Sequence, residues 1–253
     1  MSSVRVPGTV LTAYLLFVLW IGPWWMARRE RAFSLKPLLL VYNLALAAYN
    51  GYVFARLLLN PGHLVERVLD TRYPPVEDRS EWTLAVIDDI YIYTLSKYVD
   101  LLDTVFFVLR KKQSQVTALH LYHHFMVAAN GWVIFRLCAL CNVCSLFVLL
   151  NSGIHLLMYS YYALSALGPA VRPYLWWKRY ITQAQIGQFV LLFIHSVYFT
   201  TTQVGYSPYY TYHYIATTVI YCILFGRFYL KAYRQQQQQQ VKKAVVVLDK
   251  KEN

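Results

Sequence analysis

Long apolar runs alternate along this chain with short basic or Gly/Pro-containing breaks. A helix needs about 20 mostly apolar residues to cross a bilayer, and seven windows reach that length: 9–26, 37–59, 84–109, 117–137, 144–167, 180–202 and 209–230. The pattern predicts an all-α, polytopic membrane protein with seven transmembrane helices, forming one membrane domain over residues 1–233. The first window is followed by Arg28, Arg29 and Arg31, lacks a small-residue cleavage site and exceeds the apolar core of a signal peptide, so it is expected to stay as an anchor.

Polar positions inside these windows are not scattered. The third window carries Lys97, Asp100, Asp103 and Thr104 in steps of three and four, which place them on one helical stripe where Lys97 and Asp100 can pair. An unpaired charge at the bilayer centre costs at least about 2.5–3.5 kcal/mol on insertion scales, so these groups must find partners. The fourth window holds His120-Leu121-Tyr122-His123-His124, whose three imidazoles share one face and must look into a protein-lined cavity. In the fifth, Asn151, His155, Met158 or Tyr159, and Tyr162 recur at helical spacing; in the sixth, Thr182, Gln185, Gln188 and His195 follow one side. For Asn151 or Gln188 alone, interhelical hydrogen bonding is sufficient explanation. The histidines together point to chemistry, because neutral imidazole is both base and nucleophile. His195 divides evenly between the two readings, and His63 and His213, near loops, read as surface or interface residues.

Composition agrees with the pattern: 58% of residues are hydrophobic and 14% charged. The net charge of +12 would suit a nucleic-acid partner, yet the basic residues sit at helix ends rather than on one face. Those at 28–36, 110–112, Arg172, Lys178, Arg179 and 227–243 fall on one side of the seven-span arrangement, which the positive-inside rule makes cytosolic, with the N-terminus on the other side. Among the four cysteines, Cys138, Cys141 and Cys144 lie at the non-cytosolic turn between the fourth and fifth spans and Cys222 in the seventh; with no fourth ligand at suitable spacing, they read as small residues at a tight turn and no metal is expected. Residues 234–253, with six consecutive glutamines and a Lys-rich end, are expected to form a disordered cytosolic tail. Lys250 and Lys251, fourth and third from the end, resemble the dilysine retrieval signal of endoplasmic reticulum membrane proteins.

Taken in order, these motifs resemble those of the ELO family of fatty acid elongases. Lys97 to Thr104 resembles K-x-x-E-x-x-D-T, His120 to His124 is H-x-x-H-H, Asn151 to Tyr159 fits N-x-x-x-H-x-x-M-Y, and Thr182, Gln185 and Gln188 fit T-x-x-Q-x-x-Q. The segment Leu175-Trp176-Trp177-Lys178-Arg179-Tyr180 is also typical, and the resemblance extends over nearly the whole chain. Two departures stand out: Asp100 replaces the usual Glu, and the segments 70–80 and 200–209 both lack the cysteine with which many members are thought to form a luminal disulfide.

The resemblance implies spans two to seven enclosing a narrow acyl tunnel with the first packed outside, as two inverted three-helix units. It implies condensation of a long-chain acyl-CoA with malonyl-CoA, giving a 3-ketoacyl-CoA extended by two carbons, carbon dioxide and CoA, with no bound cofactor. Because no cysteine lies in a polar intramembrane motif, an acyl-imidazole is the expected intermediate, with His123 as nucleophile, His155 orienting or protonating the reacting groups, and His120 and His124 tuning the patch; these roles are exchangeable. Lys97, Asp100, Asp103, Thr104, Asn151, Tyr159, Gln185, Gln188 and His195 would support the site. Arg110, Lys111, Lys112, Lys178 and Arg179 mark topology and have a second role to offer, holding CoA phosphates. Expected partners are the ketoreductase, dehydratase and enoyl reductase of the same cycle, with homo- or hetero-oligomerisation open. Two other classes are a diiron desaturase or hydroxylase, which needs about eight convergent ligands where this chain has seven histidines, and a non-catalytic seven-span lipid receptor or transporter.

Overall fold

The apolar windows are rich in Leu, Tyr, Phe and Ala, and they fold as helices in the computed structural model. It describes residues 3–59, 61–75, 77–138 and 144–252, with side chains throughout except at 61–63, 82, 137 and 232–252. We number the helices α1 (Arg5–Ala27), α2 (Lys36–Leu58), α3 (Pro61–Leu69), α4 (Glu81–Val99), α5 (Leu102–Leu109), α6 (Ala118–Leu137), α7 (Cys144–Ala166), α8 (Lys178–Thr202) and α9 (Pro208–Glu252). Among the described residues the only extended pairing is an isolated bridge between Arg72 and Val204. Four helices, α1, α2, α7 and the first part of α9 (Pro208–Lys231), are long and apolar enough by themselves to cross a membrane. The windows carrying the Lys/Asp, three-histidine and Gln motifs fall outside that group because their polar faces dilute their apolar character. The protein is a multi-pass membrane protein, and its outer surface suits lipid: Leu38, Val41 and Leu44 on α2, Leu191 and Ile194 on α8, and Ile220 and Ile223 on α9 are exposed.

The third window differs from its expected form. It is broken at Asp100 and Leu101 into α4 and α5, where Leu101 N–H bonds to Tyr98 O (3.4 Å) and Asp103 N–H to Asp100 O (3.2 Å), a local tightening to i→i+3. The break falls on the motif that carries Lys97 and Asp100. Helix α5 then ends in a Schellman turn: Lys112 N–H bonds to Phe107 O (2.8 Å), Lys111 N–H to Val108 O (3.0 Å), and Lys111 takes φ 55°. Three basic residues at that end complement the helix dipole.

The most extensive packing joins α2 to α7, and the next joins α8 to α9. Glycines permit the closest approaches: a Cβ on Gly153 would meet the Phe54 ring at 2.9 Å, and one on Gly131 of α6 would collide with Thr94 of α4. Helix α6 contacts α4 and α9, and α7 contacts α4 and α8, so these five helices pack in succession around an interior. Helix α1 buries Leu11, Tyr14, Val18 and Met26 against Leu101 and Val108 of the α4–α5 segment and Ala128 of α6.

Two connections rich in basic residues meet at one end of the bundle. Phe33 N–H bonds to Leu109 O (3.1 Å) and Lys111 Nζ donates to Arg29 O, joining the α1–α2 and α5–α6 connections. At the opposite end, the segments 70–80 and 200–209, which contain no cysteine, are tied by backbone and ring contacts. Tyr73 N–H bonds to Val204 O (2.8 Å), Val204 N–H to Thr71 O (3.0 Å), Thr71 Oγ1 to Thr202 O (3.1 Å), and Tyr73 meets Tyr206 edge-on with centroids 5.1 Å apart. Of the cysteines, Cys138 and Cys144 are buried in a cluster with Val86, Ile90, Phe199, Tyr206 and Tyr210, while Cys141 lies outside the described residues. The segment expected as a disordered tail has helical backbone as far as Glu252, in keeping with its helix-forming Gln, Lys and Ala; the side chains of Lys250 and Lys251 lie outside the described residues.

Candidate active site

Thr117 caps α6, its Oγ1 accepting from His120 N–H (3.2 Å), which starts the helix so that His120, His123 and His124 project from its first turns. The ring centroids of His120 and His124 are 4.2 Å apart and those of His123 and His124 5.5 Å. His124 is buried. His123 is boxed by α9, with Tyr221 and Phe225 at centroid distances of 5.5 and 5.4 Å. The three imidazoles thus form the continuous patch that their spacing predicts.

The α4 stripe and the α7 face meet around Lys97. Its ammonium has three N–H bonds and three acceptors: Asp100 Oδ2 (2.8 Å), His155 Nδ1 (3.3 Å) and Asn151 Oδ1 (3.4 Å). His155 Nδ1 accepting from a charged lysine leaves the ring proton on Nε2. His155 Nδ1 also lies 3.5 Å from Asp100 Oδ2, so ammonium, imidazole and carboxylate close a triangle. Tyr93, one helical turn before Lys97, adds a hydrogen bond to Asn151 Oδ1 (2.6 Å) and places its ring 4.4 Å from the ammonium. Lys97, Asp100, Asn151 and His155 are all buried, so the charge pair stands on its mutual contacts rather than on solvent. One turn further, Asp103 accepts from Tyr159 O–H (2.9 Å), and Thr104 Oγ1 is 3.0 Å from His120 Nε2.

Lys97, Tyr93 and Tyr221 also line one cavity of about 100 Å³, continued by Thr94, Val127, Gly131, Ile134, Phe147, Val148, Leu192 and Thr217. Its walls are mostly apolar, and it reaches away from the basic end to Cys144 and Tyr210, which meet at 3.7 Å. The rings of Tyr206, Tyr210 and Tyr214 stack in sequence there, with centroids 5.7 and 6.2 Å apart. Lys97 therefore lines this space, whereas His120, His123 and His124 do not; His123 packs against Tyr221, which does. Several buried polar atoms around the cavity lack a partner among the described residues, among them Asp100 Oδ1, Gln188 Oε1, His213 Nε2 and the Tyr221 hydroxyl.

Residues 1–241 match the family model described as ELO, the GNS1/SUR4 family. The chain belongs to the ELO family. Similar proteins include very long chain fatty acid elongase 5 of Tachysurus fulvidraco, 36% identical over 234 residues that cover 91% of this chain and 76% of that protein. Very long chain fatty acid elongase 1 of Homo sapiens is 36% identical over 236 residues, covering 92% and 83% respectively. Very long chain fatty acid elongase 4 of Macaca mulatta is 34% identical over 227 residues, covering 90% and 71%.

Within this ELO-family chain, some expected site residues sit apart from the histidines. Both ring nitrogens of His195 are engaged: Nε2 donates to Val68 O (2.8 Å) and Nδ1 accepts from Tyr214 O–H (2.9 Å), so it ties α8 to α3 and α9. Gln185 Nε2 reaches Met158 Sδ at 3.9 Å, a contact between α8 and α7. Lys111, Lys112, Lys178 and Arg179 are exposed and Arg110 half-buried at the basic end, where Arg179 donates to Tyr180 O–H (2.7 Å). His213, expected at the surface or an interface, instead lines the cavity, because α9 turns it inward one helical turn from Thr217; the His63 side chain lies outside the described residues. Spacing missed Tyr14, Tyr221 and Phe225, whose partners lie on other helices. Tyr93 was missed as well, although its position four residues before Lys97 on the same stripe carries the signal. Among the described residues, no three His, Cys, Asp or Glu side chains converge as a metal-ligand set.

Proposed function

We propose that this protein performs the condensation step of very-long-chain fatty acid elongation, joining a long-chain acyl-CoA to malonyl-CoA. The observation that carries this reading is the histidine patch beside the Lys97–Asp100–His155 triangle, whose Lys97 lines an apolar cavity. The names of the relatives, all very long chain fatty acid elongases, support it.

In the proposed sequence an unprotonated nitrogen of His123 attacks the thioester carbonyl and CoA leaves as a thiolate that takes up a proton. Malonyl-CoA then loses carbon dioxide, and the resulting enolate attacks the acyl-imidazole carbonyl. A carbon–carbon bond forms, the imidazole departs, and the 3-ketoacyl-CoA is two carbons longer than the acyl group that entered. An acyl-imidazole suits this step because imidazole is a good leaving group. His155, held through Nδ1 by Lys97, presents Nε2–H to the acyl oxygen and stabilises its developing charge. Lys97 and Asp100 fix that orientation and balance its charge, while Asp103, Asn151 and Tyr159 hold α4, α5 and α7 in register around it.

In this reading α1, α2, α4 with α5, α6, α7, α8 and α9 are seven spans in the endoplasmic reticulum membrane, with the basic end cytosolic and the N-terminus luminal. The acyl chain lies in the cavity as a tunnel, and Arg110, Lys111, Lys112, Lys178 and Arg179 meet CoA phosphates at its mouth. The 3-keto product passes to a ketoreductase, then to a dehydratase and an enoyl reductase.

The test is purified protein with saturated and polyunsaturated acyl-CoAs and labelled malonyl-CoA, comparing wild type with His123→Ala. Labelled 3-ketoacyl-CoA from wild type and none from a folded variant is the expected result. No product with any acyl-CoA, together with about two irons per purified chain, would establish the oxidative reading instead.

A further inference from the structure

Helix α1 packs on the outer side of α5 and α6, yet it delivers a hydroxyl to the histidine patch. Tyr14 is buried, and its hydroxyl oxygen lies 2.8 Å from Thr104 Oγ1. Thr104 is wholly enclosed, and the same Oγ1 lies 3.0 Å from His120 Nε2. One residue from each of α1, α5 and α6 thus forms a continuous relay. A buried hydroxyl proton left without an acceptor costs about 1–3 kcal/mol. The direction that gives each hydroxyl proton an acceptor runs from Tyr14 to Thr104 to His120. His120 Nε2 therefore accepts, and its ring proton resides on Nδ1. The ring is flanked by Phe107 at 5.1 Å and His124 at 4.2 Å between centroids, so the relay fixes a ring that His124 leans on.

The local structure of α1 serves this placement. Residues Phe17–Ile21 form a π-helical turn in which Gly22 N–H bonds to Phe17 O. Pro23 explains the widening, since its ring crowds the carbonyl four residues earlier and it has no N–H to give. In a regular helix, positions four apart drift by about 40° per step. With the wide turn, Tyr14, Val18, Gly22 and Met26 all stay buried on the face turned to the bundle. Gly22 belongs to the same device, because a Cβ there would meet Val108 at 2.7 Å.

We propose that Tyr14 is a positioning residue for the condensation: through Thr104 it holds His120 in one tautomer and one ring orientation, and His120 in turn sets the patch that presents His123. The proposal rests on the reading that this patch carries the chemistry. Tyr14→Phe removes only the hydroxyl, Thr104→Val replaces one hydroxyl by a methyl, and Thr104→Ser retains it. The expected result is a fall in kcat of about tenfold for Tyr14→Phe, with KM for acyl-CoA within about twofold of wild type. Thr104→Val should fall at least as far, the double variant no further than Thr104→Val alone, and Thr104→Ser should recover most of the rate. In ¹⁵N-histidine spectra of the full-length protein in detergent, assigned by loss of a signal in His120→Gln, His120 should be a single Nδ1–H tautomer that becomes mixed in Tyr14→Phe. Wild-type kcat with an unchanged His120 signal in Tyr14→Phe would overturn the proposal, as would additive losses in the double variant. A lowered melting temperature with changes in every histidine signal would also overturn it, making Tyr14 merely structural. If wild type yields no 3-ketoacyl-CoA, the elongation reading fails, and the His120 signal still decides the relay.

Discussion

Lys97 donates to one acceptor on its own helix, Asp100, and to two on α7, Asn151 and His155, so it joins two helices and orients an imidazole with a single charge. Removing it leaves Asp100 buried and unpaired, a defect worth about 3–5 kcal/mol. Lys97→Met should therefore lower the melting temperature in detergent and abolish product. The double variant Lys97→Met/Asp100→Leu should regain most of the thermal stability and none of the activity, separating the structural from the chemical contribution. A different carboxylate offers a pH readout outside the membrane. Asp78 accepts from the Thr83 hydroxyl (2.6 Å) and from Ser80 N–H (2.8 Å), which hold its pKa below the usual carboxylate value. A depressed folded pKa contributes stability above the unfolded value of about 3.9 and loses it as pH falls through the folded value. Asp78→Ala should melt lower than wild type at pH 7, and the two curves should converge as pH falls through the folded value.

At the scale of elements, helix pairs are set by a few small residues. At Gly131 α6 approaches α4 closely, and Thr94 fills the space a side chain would need. Gly131→Ala should destabilise the protein by about 1–3 kcal/mol through overpacking against a stiff β-branched neighbour. Thr94→Ala in the same chain should restore most of the loss, measured by thermal melts of the four variants. The broken third span was not legible in its hydrophobic pattern, since a continuous apolar stripe reads as one straight helix. The tightened turn falls between the Lys97–Asp100 pair and the Asp103–Tyr159 hydrogen bond, the second of which reaches across to α7. The missing cysteine pair was legible, whereas its replacement by the Thr71–Val204 backbone pairing and the Tyr73–Tyr206 contact was not, since backbone donors carry no sequence signature.

Across the whole molecule, the histidine patch lies at the start of α6, next to the basic α5–α6 connection, and the cavity extends toward the other end. Tyr210 lines that end, meeting Cys144 from α7 and stacking between Tyr206 and Tyr214. Under the proposed function this end sets the longest acyl chain that fits. Tyr210→Ala should lengthen the largest product by about one two-carbon cycle or more, because a Tyr side chain fills 150–250 Å² of contact surface that an alanine leaves open. Product chain lengths from a mixed acyl-CoA panel check this, and an unchanged distribution would place the limit elsewhere.

Sequence alone determined what helical periodicity controls: the apolar windows, the Lys97–Asp100–Asp103–Thr104 and His120–His123–His124 stripes, and the basic ends. These depend on steps of three and four residues within one helix. Tertiary structure decided the cross-helix choices, in which Tyr14 reaches Thr104 over a separation of 90 residues, Lys97 reaches His155 over 58, and His195 turns to Val68 over 127 rather than to the other histidines. Such pairings depend on helix crossing, local turns and the volumes at each contact, which no single segment encodes.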